Sequence, residues 1–184
     1  GKAKALKARG GRMVVIDPRR TETAELADAH HFIRPAGDVF LLLGMVHTLF
    51  AEKLVKLGSV GEHITGLREL ETAMSDPRFS AESVSKRCGI APDIIRTLAR
   101  EMAATPRAAL YSRIGTCTQE FGTLGSWLVD VVNTLTGHLD SVGGVMFPKS
   151  AAVAANTQGG KPGSAGVGKG VVTGRHASRV SGAP

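Results

Sequence analysis

Two periods of apolar spacing run along this 184-residue chain. Short β-branched runs suit buried strands, and longer stretches with apolar residues three and four apart suit helices. Residues 2–9 read as the last turns of a helix, with Ala5, Leu6 and Ala8 apolar, Gly10-Gly11 as a left-handed cap and cations near the end. Arg12-Met13-Val14-Val15-Ile16 predicts a short buried parallel strand. It halts at Asp17-Pro18, because proline cannot donate to a ladder and restricts the residue before it. Residues 21–29 fit a short helix with Ala24, Leu26 and Ala27 inward, and residues 31–34 a second strand closed by the turn Pro35-Ala36-Gly37-Asp38. Residues 39–57 form a helix capped by Asp38 and ended by Gly58, with Leu42, Met45, Val46, Leu49 and Leu54 on one face. A further helix spans 62–74. A chain that starts inside a helix and enters a strand this quickly is expected to be an internal segment of something longer.

Ser80 caps a helix reaching about Cys88, Gly89-Ile90-Ala91 is a turn, and 92–104 is a second helix. That spacing matches a DNA-binding helix-turn-helix. The second helix, however, opens with Pro92 and Asp93, and its Ile94, Ile95 and Leu98 read as core. No Asn, Gln or Arg stands in its first turn to meet base edges, so a helical hairpin packed on a larger protein is the preferred reading. Residues 107–112 are apolar enough for another buried strand and run into a polar loop, 113–120. Residues 122–136 form a helix with Trp127, Leu128, Val131, Val132 and Leu135 as its apolar set, capped by Gly137. Residues 149–184 hold eight glycines, much Ala and Ser, and no period. The chain thus divides into an α/β unit over 1–148 and an irregular basic segment over 149–184.

Composition is that of a globular protein: 42% of residues are apolar. No apolar run approaches the roughly 20 residues that span a bilayer, and no apolar stretch follows the first charges as in a signal peptide. On that ground a cytoplasmic location is favoured. The formal net charge of +7 is unevenly placed. Residues 1–12 and 149–184 hold five cations each and no acid, so 13–148 carries 13 cations against all 16 acids. The basic character belongs to the ends, which weakens a nucleic-acid reading based on charge alone. Cys88 and Cys117 are too few and too far apart for a disulfide framework or a four-ligand zinc site.

Two strand-to-loop transitions carry candidate chemistry, since ligands of open parallel sheets lie beyond the carboxyl ends of the strands. The first is Asp17-Pro18-Arg19-Arg20-Thr21: the acid can accept from a ribose or base, and the guanidinium groups can pair with phosphate oxygens. The alternative is an acid that starts the next helix, beside solvated arginines. The second is Ala36-Gly37-Asp38, where a carboxylate can meet the adjacent N1 and N2 hydrogens of guanine or simply cap the helix. The third is the loop 115–119, whose amides and side chains can hold a polar ring or form an ordinary surface turn. The six histidines follow no metal-ligand spacing. Cys88 follows Lys86-Arg87 but reads as a buried structural thiol, and Gly166-Val167-Gly168-Lys169-Gly170 lacks the spacing of a phosphate loop.

Taken in order, Val14-Val15-Ile16-Asp17-Pro18-Arg19-Arg20-Thr21-Glu22-Thr23-Ala24, then Ala27-Asp28, then Ile33-Arg34-Pro35-Ala36-Gly37-Asp38 resemble the catalytic subunit of the molybdopterin oxidoreductases. That large family includes formate dehydrogenases, nitrate reductases and dimethyl sulfoxide reductase. The stretches from Ile114-Gly115 to Leu135-Thr136-Gly137 and Gly143-Gly144-Val145 are similar to it as well, so the likeness covers roughly 10–148.

The resemblance implies an open parallel sheet with flanking helices inside a larger multidomain enzyme. It also implies a molybdenum bis(pyranopterin guanine dinucleotide) cofactor. Carried over by position, Asp17, Pro18, Arg19, Arg20 and Thr21 line the nucleotide, Ala36, Gly37 and Asp38 flank the guanine with Asp38 reading it, and Ile114, Thr118 and Gln119 face the pterin and metal. Thr118 and Gln119 compete for one polar role. His138, Asp140, Ser141 and Val142 depart from the Asn and Pro usual in the 137–143 turn. The family's [4Fe–4S] cysteine cluster and its molybdenum ligand are expected in missing N-terminal parts, so no catalytic or metal-ligating residue is expected within this stretch. The implied activity moves electrons between a small formate- or nitrate-like substrate and an iron–sulfur chain or other electron-transfer subunit, with no nucleic-acid partner. Two alternatives stand: a scaffold without molybdenum, like the large iron–sulfur subunit of NADH:quinone oxidoreductase, and a helix-turn-helix nucleic-acid module.

Overall fold

The computed structural model describes residues 2–146, which lie within one compact unit, Gly1–Met146. The expected irregular segment over 149–184 lies outside the described residues. The order is α1 (Lys2–Ala8), β1 (Val14–Ile16), α2 (Glu22–Leu26), β2 (Ala29–His31), α3 (Asp38–Ala51), a 3-10 turn (Gly58–His63), α4 (Leu67–Met74), α5 (Ala81–Cys88), α6 (Pro92–Ala104), α7 (Ile114–Cys117) and α8 (Gly122–Leu135). A second 3-10 turn, Pro77–Phe79, precedes α5.

The α/β expectation holds in a helix-rich form. β1 and β2 pair in parallel with Val14 opposite Ala29 and Ile16 opposite His31. They are connected through α2, whose N-cap Thr21 accepts from Ala24 N–H at 3.2 Å. The second strand sits two residues earlier than its apolar pattern predicts, because Met13 O takes both Asp28 N–H and Ala29 N–H and so sets the register there. Ile33 leaves the sheet and is buried in the core. In α2, Ala24 is buried as expected but Leu26 is exposed.

The core is built around α3, which is buried almost all round and packs against α8, α5 and α6. Val46 and Leu49 are fully buried, as are Ile95 and Ala99 of α6 and Leu128 and Val132 of α8. Each such large apolar side chain contributes about 1.5–3 kcal/mol. Gly44 permits the close crossing: a Cβ there would stand 2.7 Å from Val84 Cγ2 and 3.0 Å from Ile95 Cγ2.

Three boundaries differ from the sequence pattern, each for a local reason. α3 stops at Ala51 and not near residue 57, because Lys53 adopts φ 56°, Lys53 N–H reaches Phe50 O and Leu54 N–H reaches Leu49 O. That is a left-handed helix stop made without glycine. The helix expected over 62–74 begins only at Leu67, after Gly66 at φ 81°, with a 3-10 turn before it. Residues 107–112 are not a strand. Asn133 of α8 supplies what a neighbouring strand would: its Oδ1 accepts from Leu110 N–H and its Nδ2 donates to Leu110 O, both at 2.9 Å.

α5 and α6 fall where the helix-turn-helix spacing places them. Ile95, Leu98 and Ala99 of α6 are buried, and its two arginines are engaged: Arg96 with Glu82 and Asp93, Arg100 with both oxygens of Glu52. The Arg100 hydrogen bonds hold the Glu52 carboxyl below its ordinary value. No helix among the described residues is long and apolar enough to cross a membrane.

Candidate functional site

β1 and β2 run in parallel, so the segments leaving Ile16 and His31 emerge from the same edge of the sheet. Asp17 follows β1, half-buried, with its Oδ1 accepting from Arg19 N–H at 2.7 Å. This Asx turn folds the strand end over, so Pro18, Arg19 and Arg20 project as an exposed loop ahead of Thr21. Asp17 therefore shapes the loop and does not start the helix, which Thr21 caps. Its backbone takes part too: Asp17 N–H donates to His31 O, and Asp17 O lies 3.1 Å from His30 Nε2. The other ring nitrogen, His30 Nδ1, is buried without a hydrogen-bond partner among the described residues. Burial, with the neighbouring His30 second, pushes His31 below the usual histidine value.

The chain from β2 reaches α3 through a turn seated on the end of α5. Arg34 N–H donates to Cys88 O at 2.8 Å, and the Arg34 guanidinium donates to Lys86 O. Ala36 takes φ 63°, and Gly37, buried, ends the turn where a Cβ would stand 2.7 Å from Arg34 O and 2.8 Å from Cys88 Cα. Cys88 itself is fully buried, and burial pushes its thiol up, as suits an inert structural group.

Asp38 does not cap α3. Gly37 is the N-cap, without a side-chain bond, and Asp38 is the first helical residue. Its carboxylate turns to a distant segment, where Oδ2 accepts from Gln119 Nε2 at 2.8 Å. The acid still sits in the first turn, where the helix dipole favours a negative charge.

The segment expected as a loop contains the short helix α7. Thr118 and Gln119 part company there: the Thr118 hydroxyl donates locally to Ile114 O at 2.8 Å, whereas Gln119 reaches Asp38 and also donates to Gly115 O. Ile114 is 74% exposed. The structure thus brings Gln119 to Asp38, and keeps Ala36 and Gly37 in the turn beside them. Asp17 to Thr21 form a separate loop on the same sheet edge.

Three residues beside this pair were not singled out from sequence. Phe40 and Phe121, each two positions beyond the Asp38–Gln119 partners, meet edge to face at 6.3 Å, and the Arg87 guanidinium lies 4.9 Å over Phe40. The matching Asp-x-Phe and Gln-x-Phe spacing is the signal that pairs them. His138, one of the departures in the 137–143 turn, is buried and clamps it, with Nδ1 2.8 Å from Thr136 Oγ1 and Nε2 2.8 Å from Thr105 O. Trp127 is half-exposed, contrary to its expected core position, and lines a groove of about 260 Å³ with Leu67, Leu70, Val131 and Leu135. The groove includes none of the candidate residues. No group of three or more His, Cys, Asp or Glu able to hold a metal occurs among the described residues.

No family model matches the chain, but individual proteins do. The thiosulfate reductase molybdopterin-containing subunit PhsA of Salmonella typhimurium is 30% identical over 147 residues, 79% of this chain and 19% of that one. A dimethyl sulfoxide/trimethylamine N-oxide reductase of Cereibacter sphaeroides is 34% identical over 147 residues, 77% of this chain and 18% of that one. Formate dehydrogenase H of Escherichia coli is 30% identical over 109 residues, 59% of this chain and 15% of that one. Among solved structures, acetylene hydratase from Pelobacter acetylenicus superposes with a TM-score of 0.67 at 27% identity, over 73% of this chain and 18% of that one. The chain spans less than a fifth of the length of these relatives. Similarity that runs through most of the described fold, to several such reductases and a formate dehydrogenase, places this chain in the molybdopterin oxidoreductase family.

Proposed function

We propose that the chain forms one wall of a molybdenum bis(pyranopterin guanine dinucleotide) site in an oxidoreductase. The observation that carries the reading is the Asp38 carboxylate: half-buried, in the first turn of α3, at the end of the turn that leaves the parallel sheet, with one oxygen bound to Gln119. Oδ1 has no hydrogen-bond partner among the described residues. A carboxylate so placed accepts from two adjacent N–H donors, the pattern that guanine presents at N1 and N2.

The donor set fits the rest of that group. Arg19 and Arg20, held out by the Asx turn at Asp17, supply bidentate cations for a pyrophosphate, and Pro18 and Thr21 fix the loop that carries them. Ala36 and Gly37 bring backbone close to the base. Ile114 opens α7 and Thr118 caps its end, and on this reading both face the pterin. When bound, the molybdenum–pterin group supplies the two-electron redox chemistry, while the protein binds, orients and sets the local charge. On this reading none of the residues described is the metal ligand or an acid–base group.

The oxidoreductase half of the reading rests on the sequence relatives, because the superposing structure bears the name of a hydratase. The substrate is a small oxidised or reduced anion of the formate or nitrate class, and the electrons pass to an iron–sulfur chain beginning with a [4Fe–4S] centre outside the residues described.

The test is made on the complete polypeptide, produced in a host that makes the cofactor. Molybdenum, pterin and guanine nucleotide are measured per polypeptide in the wild type and in Asp38→Ala. The expected result is metal with pterin in the wild type and a large loss of guanine nucleotide in the variant. Unchanged guanine content in Asp38→Ala removes Asp38 from the base site. Wild-type protein without molybdenum and pterin favours the scaffold reading.

A further inference from the structure

Gln119 meets Asp38 across 81 positions of sequence, and its orientation is determined by what surrounds it. Two acceptors converge on the end of its carboxamide, Asp38 Oδ2 at 2.8 Å and Gly115 O. Only the NH2 end can face both, since the oxygen end would oppose two acceptors. Both amide hydrogens are thereby committed, one to α3 and one to the helix beside it. A second contact runs parallel to the first two residues further along each segment, where Phe40 and Phe121 pack edge to face beneath Arg87. The 119–121 segment is therefore fixed on the first turn of α3 at two points, so its backbone cannot move off α3 without unpacking an aromatic pair, and the Gln119 carboxamide is held by its two hydrogen bonds.

An aspartate's terminal torsion is otherwise soft. A carboxylate free to rotate must lose that freedom on meeting a planar donor pair, whereas one already held does not. We infer that Gln119 is a positioning residue for Asp38: it holds one carboxylate oxygen, so the plane of the acid is set before a guanine edge arrives. Base recognition at α3 then depends on the segment that carries α7. This rests on the reading of Asp38 as the guanine acceptor and changes the expected role of Gln119, from a contact to the pterin to an orienter of the nucleotide end. A carboxylate held in this way favours a base with two adjacent N–H donors over adenine, whose corresponding edge lacks that pair.

The experiment uses the complete loaded enzyme and measures how fast guanine nucleotide is lost during dialysis, at a temperature below the unfolding midpoint of every variant. The variants are Asp38→Ala, Gln119→Ala, Gln119→Glu and the double Asp38→Ala/Gln119→Ala. Gln119→Glu keeps the size and packing of the side chain but replaces the donor with an acceptor facing Asp38, so it decides the matter if the alanine variant does not fold. The expected result is loss about tenfold faster in both Gln119 variants, the factor associated with one hydrogen bond to a charged group. The double variant should lose nucleotide no faster than Asp38→Ala alone, because the glutamine acts only through the acid. Wild-type rates in Gln119→Glu, or a double variant faster than Asp38→Ala by the full Gln119 factor, overturn the positioning role. Asp38→Ala losing nucleotide at the wild-type rate overturns the guanine reading itself and the inference with it.

Discussion

Gly37 shows how little room the turn into α3 leaves. Its φ of −85° suits any residue, so the constraint is space alone. A methyl group would stand within 2.8 Å of the Cα of Cys88 and 2.7 Å of Arg34 O, and both are backbone atoms that cannot step aside. Gly37→Ala is expected to destabilise the protein by about 1–3 kcal/mol, the usual cost of overpacking. The same shift would move Asp38, the next residue, away from Gln119. Thermal unfolding measures the first effect, and guanine nucleotide content measures the second. A variant with wild-type stability would show that the turn yields more easily than its contacts imply. Asp17 is the contrasting residue: its role in loop shape is local, an Asx turn two residues long, and so was within reach of sequence reasoning.

At the scale of elements, Asn133 stands in for a missing strand. It is fully buried on α8 and satisfies both the N–H and the C=O of Leu110, while its Nδ2 also reaches Val129 O. Asn133→Ala leaves two half-buried backbone groups without partners, each worth about 1–3 kcal/mol, and is expected to cost about 2–4 kcal/mol in all. Urea unfolding measures it, and a cost below about 1 kcal/mol would mean that water replaces the side chain. This arrangement also explains what the sequence could and could not reveal. α6 and α8 were legible because burial imposed a 3.6-residue period on Ile95, Leu98, Leu128 and Val132, and α3 because burial on nearly every side made it a long apolar run, 39–50. Residues 107–112 have the composition of a strand, and nothing local says that their partner is a side chain 23 positions away. The end of α3 was missed because a lysine took the left-handed stop usually held by glycine. The candidate site divides in the same way. Loops at strand ends are local features, but the bond between Asp38 and Gln119 is a product of tertiary packing alone.

Across the whole molecule, the candidate loops at 17–21 and 36–38 follow a thin sheet that is less buried than the helices of the core. β1 and β2 have three residues each, all only half-buried, whereas Val46 and Leu49 of α3 and Leu128 and Val132 of α8 are sealed. The strand entry is tied to α6 by Arg12 and Glu101, an exposed pair worth about 0–1 kcal/mol at most. The unit therefore has a stable helical body and a sheet that opens at lower cost, as ligand-facing elements commonly do. Amide hydrogen exchange should show it: the Asp17 and Ala29 amides, which close the ladder, are expected to exchange at least about a hundredfold faster than those of Val46, Leu49 and Val132. Equal protection would show one cooperative unit and remove the distinction. The proposed nucleotide would contact the loops at both strand ends, so binding it stabilises the closed sheet by mass action. Loaded protein should accordingly gain protection at Asp17 and Ala29 by a larger factor than at Val46. A gain confined to α3 would place the ligand at Asp38 and off the Asp17–Thr21 loop, separating the two halves of the proposed site in one measurement.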